Sequence, residues 1–339
     1  MIKTKITEMF DIKYPILSAP MGPFYTTELT VAVSEAGGLG VLSHTNLLGR
    51  DPIKTMKENF DYVIEHTDKP FGFNIRTARL QIDAPALIKK TARWINEDPR
   101  LREQCVYAVT SAGTPRKASE YWKKKCPTLK HFHVSPALYL AKKVVDSGCD
   151  GLVVTGIEGG GHQSYEEIST LVLLQEAVRA YPDFPIIACG GFASPESLAM
   201  AIAGGADAIA MGTRFIASEE SEFHKNYKSV IYPATARDTI LTTGSFGPIR
   251  LLKNKYALEH GKILSKEEKK DQESQLTMEK IQEDMKRYEL IYKGDTENGA
   301  ILAGQTVGLI NEEKKVDDIL SNFTKEAEKL LKDAMSKIQ

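Results

Sequence analysis

Cysteine is scarce and scattered in this chain. Cys105, Cys126, Cys149 and Cys189 are the whole set, with no Cys-x-x-Cys pair. That excludes a disulfide scaffold and a cysteine-based zinc knot, and it reads as a reduced, cytoplasmic protein. Neither sign of charge dominates: 44 Lys+Arg stand against 45 Asp+Glu, a formal net charge of -1. The basic stripe that a nucleic-acid partner requires is missing. No apolar run approaches the roughly 20 residues of a membrane span. The first ten residues are polar and charged, without an apolar signal core, so no membrane or secretory role is expected. There is no Gly-x-Ser-x-Gly elbow and no cluster with metal-ligand spacing, so neither a serine hydrolase nor a metal site is expected.

What is present is a composition that can bury a large core, 42% hydrophobic over 339 residues. Short apolar runs alternate with amphipathic stretches. The runs fall at 16–20, 39–42, 71–75, 105–111, 130–134, 151–156, 185–190 and 208–213. Most are almost continuously hydrophobic, as parallel strands covered on both faces are. Helical patterns lie between them at 27–36, 136–147 and 166–181, and Ser194-Pro195-Glu196 is a helix start with a capping Ser and Pro at the first position. Eight such units in about 220 residues predict an α/β fold, a (β/α)8 TIM barrel.

After about Phe223 the texture changes. Residues 253–293 are rich in Lys, Glu and Gln, and 266–271 is wholly charged. Helical periodicity returns over 278–292, where Ile281, Met285, Tyr288 and Tyr292 share a face. The small-residue segment 299–308 then precedes a charged amphipathic helix at 316–338. The expected organisation is a barrel of 1–222 plus 300–339, with 223–299 as a smaller helical cap over its mouth.

In such a barrel the site forms from loops at the C-terminal ends of the strands. Four places there carry chemistry. Cys189-Gly190-Gly191 and Met211-Gly212-Thr213 end the last two strands. Glycines at these turns let backbone N–H groups approach an anion, and the helix starting at Pro195 adds a favourable dipole. This pair of loops is the fold's habitual phosphate site. Glu158-Gly159-Gly160-Gly161-His162 follows strand six; its glycines let a loop hug a ligand and present one imidazole for acid–base work. Asn74 ends the third strand with an amide able to read a heteroaromatic edge. Pro20-Met21-Gly22 ends the first, where a thioether can pack on a planar ring.

Other features are decoys. Gly37-Gly38-Leu39-Gly40 follows a helix and precedes a strand, the reverse of a dinucleotide loop, and Gly204-Gly205-Ala206 likewise ends a helix. His131-Phe132-His133 puts two imidazoles on one strand face with no completing ligand, so strand alternation explains it better than a metal.

Together these segments resemble the nitronate monooxygenases, formerly 2-nitropropane dioxygenases, and the related FMN-dependent enoyl-ACP reductases. The motifs run from Tyr14-Pro15-Ile16 and Pro20-Met21-Gly22, through 32–40 and 69–74, to 159–162, 185–193, 204–208, 211–215 and Ala303-Gly304-Gln305. The resemblance implies noncovalent FMN. Gly190, Gly191, Gly212 and Thr213 would hold its phosphate, with Met21, Gly22 and Asn74 against its ring. Pro20, Glu158, Gly160, Gly161 and Met211 complete the implied cofactor shell, and His162 matches the catalytic histidine. In nitronate monooxygenases that residue takes the α-proton of a neutral nitroalkane, the flavin accepts an electron from the nitronate, and O2 completes cleavage to a carbonyl compound and nitrite. The alternative, an enoyl-ACP reductase, would use NAD(P)H as co-substrate and an acyl-carrier protein as partner; 224–231 and 246–254 look like that branch, while 168–178 and 187–218 look like the monooxygenases. A non-catalytic flavin-binding protein is a third reading, against which His162 stands. The resemblance also allows a homodimer. Ser164 replaces the usual Gly after His-x, and 76–104 is longer than in the relatives, both on the substrate side.

Overall fold

The computed structural model describes residues 2–244, 247–259, 267–268, 271 and 274–338. All eight expected strands form: β1 (Ile16–Ser18), β2 (Gly40–Leu42), β3 (Phe71–Thr77), β4 (Cys105–Gly113), β5 (Lys130–Ser135), β6 (Gly151–Thr155), β8 (Ile186–Cys189) and β9 (Ala208–Met211). They pair in parallel in the order β1-β9-β8-β6-β5-β4-β3-β2. The sheet closes where Leu39 N–H donates to Ile16 O and Ser18 N–H donates to Leu39 O, both at 3.1 Å. Closure removes both sheet edges. The result is a (β/α)8 barrel.

The barrel's alternation follows from the strand period of two. Phe132 points inward, its ring 6.0 Å from Phe10 and 5.3 Å from Tyr107. Phe10 ends the helix Lys5–Phe10, which plugs the barrel from the side opposite the catalytic loops. His131 and His133 therefore face the helix layer, where Trp122 meets His131 edge-on at 4.9 Å. Both imidazoles share the Thr110 hydroxyl at 2.7 Å, and Cys149 Sγ lies 3.6 Å from His131 Nδ1. The alternation expected for 131–133 holds. Burial lowers His131 to about 3 and His133 to about 4.

The long segment 76–104 carries two helices, Ala84–Glu97 and Pro99–Gln104, packed on the barrel's outside. The region after 223 differs from the expected helical cap. It contains a hairpin of β10 (Thr239–Gly244) and β11 (Gly247–Leu252), to which the two-residue β7 (Gly161–His162) adds as a third, antiparallel strand. Thr239, Ile240, Thr242, Thr243 and Ile249 are β-branched, and that composition suits a pleated surface. The helix Met278–Tyr292 forms as expected. Its Tyr288 packs with Phe24, Phe223 and Tyr227 in an aromatic core that fastens this region to the loop after β1. Of the charged run 266–271, Glu267, Glu268 and Asp271 lie among the described residues; the rest lies outside them, as does Phe246. The last helix, Val316–Met335, buries Ile319, Leu320 and Phe323 against the barrel's outer layer.

Candidate active site

A cavity of about 540 Å3 opens at the C-terminal ends of the strands. Pro20, Met21, Gly22, Asn74, Glu158, Gly160, Gly161, His162, Gly190, Gly191, Gly212 and Thr213 all border it. Met211 does not. As the last residue of β9 its side chain alternates outward and is wholly buried between sheet and helices, so its expected place in a cofactor shell is corrected. Only its carbonyl serves the loop, accepting from Ala19 N–H at 2.9 Å.

The last two loops have the features of an anion cradle. Gly190 and Gly191 take φ +83° and +91°, a region that L side chains avoid. The backbone N–H groups of Gly191, Phe192 and Gly212, all at the cavity, have no protein acceptor among the described residues. All three residues are half-buried, so their amides are open to a ligand in the cavity. Thr213 Oγ1 accepts from Gly304 N–H at 3.0 Å, which leaves its own proton to donate. The helix Pro195–Ala203 starts nearby, but its first amides are capped within the chain, Ser194 Oγ accepting from Ser197 N–H. The free amides of the loops, rather than that helix start, are what an anion would meet. These residues fit a flavin phosphate.

Asn74 borders the cavity while its amide nitrogen donates to Val109 O at 2.9 Å and Ser111 Oγ at 3.3 Å. The carboxamide oxygen is left as the atom with capacity for a ligand. Met21 is held by its N–H to Ser43 Oγ at 2.7 Å, and its thioether lies over Gly212. Glu158 borders the cavity and also has a structural duty. Its carboxylate accepts from Thr170 N–H at 2.9 Å and Thr170 Oγ1 at 3.0 Å, tying the glycine loop to the helix Thr170–Ala180.

His162 is not on a slack loop. Its residue pairs with Ile249, Gly161 pairs with Arg250, and Gln163 N–H donates to Pro248 O at 2.8 Å. The residue is exposed at the cavity mouth, where surrounding protein desolvates its ring only in part. Partial desolvation, then the Arg76 guanidinium, lower it from the ordinary imidazole range, against a smaller opposing pull from Asp284. At neutral pH it is the free base, the form that accepts a proton.

Several functional neighbours escape a reading of the sequence. Arg76 stands two residues beyond Asn74, so the strand period alone would have placed both on one face. Arg250 Nε donates to Ile157 O at 2.8 Å and Nη1 to Thr239 Oγ1 at 3.0 Å, clamping the hairpin onto the glycine loop. His44, buried below Arg76, has Nδ1 accepting from Arg76 N–H and Nε2 on Asp83 Oδ2, each at 3.0 Å. No signal short of contact information points to Arg250 or His44. Among the described residues no group of three or more His, Cys, Asp and Glu could hold a metal, and no helix is long and apolar enough to cross a membrane.

Comparison with known proteins gives the same picture. The curated (3aS,4S,5R,7aS)-5-hydroxy-7a-methyl-1-oxo-octahydro-1H-indene-4-carboxyl-CoA dehydrogenase of Rhodococcus jostii is 30% identical over 266 residues, covering 76% of this chain and 69% of that one. A probable nitronate monooxygenase of Staphylococcus saprophyticus is 25% identical, covering 75% and 80%. The structure of FabK from Thermotoga maritima superposes with a TM-score of 0.85 at 31% identity, covering all of both chains. The profile of one family, Nitronate monooxygenase, matches residues 3–326. With its closed barrel, its glycine-lined cavity and its cavity-facing histidine, the chain belongs to the nitronate monooxygenase family of oxidoreductases.

Proposed function

We propose that this protein is an FMN-dependent nitronate monooxygenase, which oxidises alkyl nitronates and their nitroalkanes with O2 to carbonyl compounds and nitrite. One arrangement carries the reading: amides without acceptors at the last two barrel loops and a neutral imidazole at the mouth border the same cavity. FMN, when bound, supplies the redox chemistry of the reaction. Gly190, Gly191, Gly212 and Thr213 would hold its phosphate, and Met21, Gly22 and Asn74 would meet its ring. His162, uncharged at neutral pH, takes the α-proton of a neutral nitroalkane. The strap to β11 keeps that ring where the proton is released, which is how positioning adds to general-base catalysis. The chain's own residues thus bind, orient and deprotonate.

The FabK likeness supports a second reading, an enoyl-ACP reductase drawing on NAD(P)H with an acyl-carrier protein as partner. Under either reading the protein acts in the cytoplasm, and a homodimer suits the family. Anaerobic mixing of the FMN-loaded protein with NADH, NADPH and small nitronates separates the two. Rapid bleaching of the flavin by a nitronate, with little response to NAD(P)H, is the expected outcome. Bleaching by NAD(P)H alone would transfer the assignment to the reductase, and protein that takes up no FMN would end both.

A further inference from the structure

One half-buried charge at the cavity has no counter-charge bonded to it among the described residues. Arg76 lies on the same face of β3 as Asn74 and one rung, about 6.6 Å, nearer the mouth. If Asn74 meets the flavin ring, Arg76 is on the His162 side of it. Its Cζ is 3.8 Å from where a Cβ on Gly22 would sit, and the guanidinium borders the cavity. Among the described residues only its Nη2 has a partner, the Asn46 side-chain oxygen, and Nε is buried without one. The nearby acid is already engaged: Asp83 Oδ2 holds His44 Nε2 at 3.0 Å and Oδ1 holds Gln81 Nε2 at 2.6 Å. His44 in turn fixes the Arg76 backbone.

A half-buried guanidinium without an ion pair is an attractive partner for an anion that arrives with the ligand. We propose that Arg76 is the anion-recognising residue of the substrate subsite, gripping the planar two-oxygen head of a nitronate or a carboxylate across from His162. The inference rests on reading the cavity as a redox site with His162 as proton acceptor, and adds the substrate's charge class. For a neutral nitroalkane, the α C–H bond breaks, the proton passes to the His162 imidazole, and the electron pair delocalises onto the two nitro oxygens. Arg76 faces the oxygens where that charge develops, and a planar fork matches a planar pair of oxygens. A substrate without such a head would leave the guanidinium uncompensated, so Arg76 sets specificity rather than defining the chemistry.

Nitrate is a planar anion that nothing in the cavity can deprotonate, so it probes the subsite apart from the reaction. Calorimetric titration of the FMN-loaded protein with potassium nitrate at low ionic strength should show binding. Arg76→Met should weaken it by roughly tenfold to a hundredfold, the scale of a charge-assisted pair, and should raise KM for nitronates more than it lowers kcat. Arg76→Lys, a point charge without the fork, should fall between. Nitrate affinity that is absent in the wild type, or unchanged in both variants, would overturn the proposal. Should the Met variant fail to fold, the Lys variant decides it, with wild-type affinity as the defeating result. Nitrate binding that depends on residue 76, in a protein that oxidises no nitronate, would defeat the monooxygenase reading and leave the anion subsite standing. Nitronate turnover with nitrate binding indifferent to residue 76 would do the reverse.

Discussion

His162 owes its role to a low affinity for protons. Partial desolvation and Arg76 lower it from the ordinary imidazole range, so the free base prevails at neutral pH. His162→Asn keeps the cavity's shape and its capacity for FMN but cannot accept a proton. Turnover of neutral nitroalkanes should fall by about 10²–10⁴-fold, the usual contribution of a positioned base. Nitronates, already deprotonated, should lose much less. Steady-state assays on the two substrate forms check this, and an equal loss on both would remove the base role. The same environment predicts the pH profile. On acidification the imidazole protonates below the ordinary histidine range, so the acid limb of kcat/KM for a neutral nitroalkane should lie below pH 6.5. Asp284 and Arg76 act on this ring in opposite senses, and Arg76 is the stronger, so Arg76→Met should move the acid limb upward toward 6.5. Of these residues His162 is legible in the sequence, because three glycines at a strand end form a loop that can hug a ligand and present the imidazole that follows them. Arg76 is not: arginine on a strand reads as a solvated side chain until the cavity around it is known.

At the scale of elements, the eight barrel strands are legible because burial on both faces leaves continuous apolar runs. The hairpin of β10 and β11 is not. Its strands are mixed in polarity, Pro248 sits within β11, and proline inside a run argues against a strand. What pins it is tertiary: Arg250 reaches back to Ile157 O, and β7 joins it from the loop that follows β6. Arg250→Met should therefore leave a buried carbonyl without its donor, costing about 1–3 kcal/mol. Urea midpoints should fall accordingly, and limited proteolysis should begin to cut the glycine loop; an unchanged digestion pattern would show that the clamp is dispensable. The loop's glycines divide by cause. A Cβ on Gly160 would lie 2.6 Å from Ala303 C and Gly304 N, both backbone, whereas one on Gly191 would meet nothing nearer than 3.6 Å. Gly160→Ala should destabilise by overpacking, about 1–3 kcal/mol. Gly191→Ala carries only the positive-φ strain of about 1–2 kcal/mol. Thermal melts with and without FMN order the two: the Gly160 variant should be the less stable, and the Gly191 variant should stand out by weaker FMN uptake.

The molecule as a whole carries a built-in sensitivity to acid in its buried histidines, of which His133 also borders the cavity. His131 and His133 are almost wholly buried, joined through Thr110 Oγ1, with folded-state values of about 3 and about 4. Unfolded, each titrates near 6.5. Above 6.5 both states are neutral and the pair contributes no pH dependence. Between about 6.5 and 4 the unfolded chain binds two protons that the folded chain refuses, so stability falls as pH falls. Each such proton contributes about 1.4 kcal/mol per pH unit, and the pair about 3 kcal/mol per unit where both are fully active. The slope flattens below about 3, once the folded state also takes the protons. His44 and His162 are lowered as well, so the acid window is shared among the histidines, and a single variant isolates one member's part. Phenylalanine at 131 would keep the edge-on contact with Trp122 and remove one titrating group. His131→Phe should thus start less stable at pH 7, where Thr110 loses one of its two hydrogen-bond partners, yet lose stability less steeply on acidification. Urea melts at pH 7, 6, 5.5 and 5 on both proteins give the two slopes. Parallel lines would mean that the acid lability resides elsewhere, and converging lines would locate it in the pair behind β5.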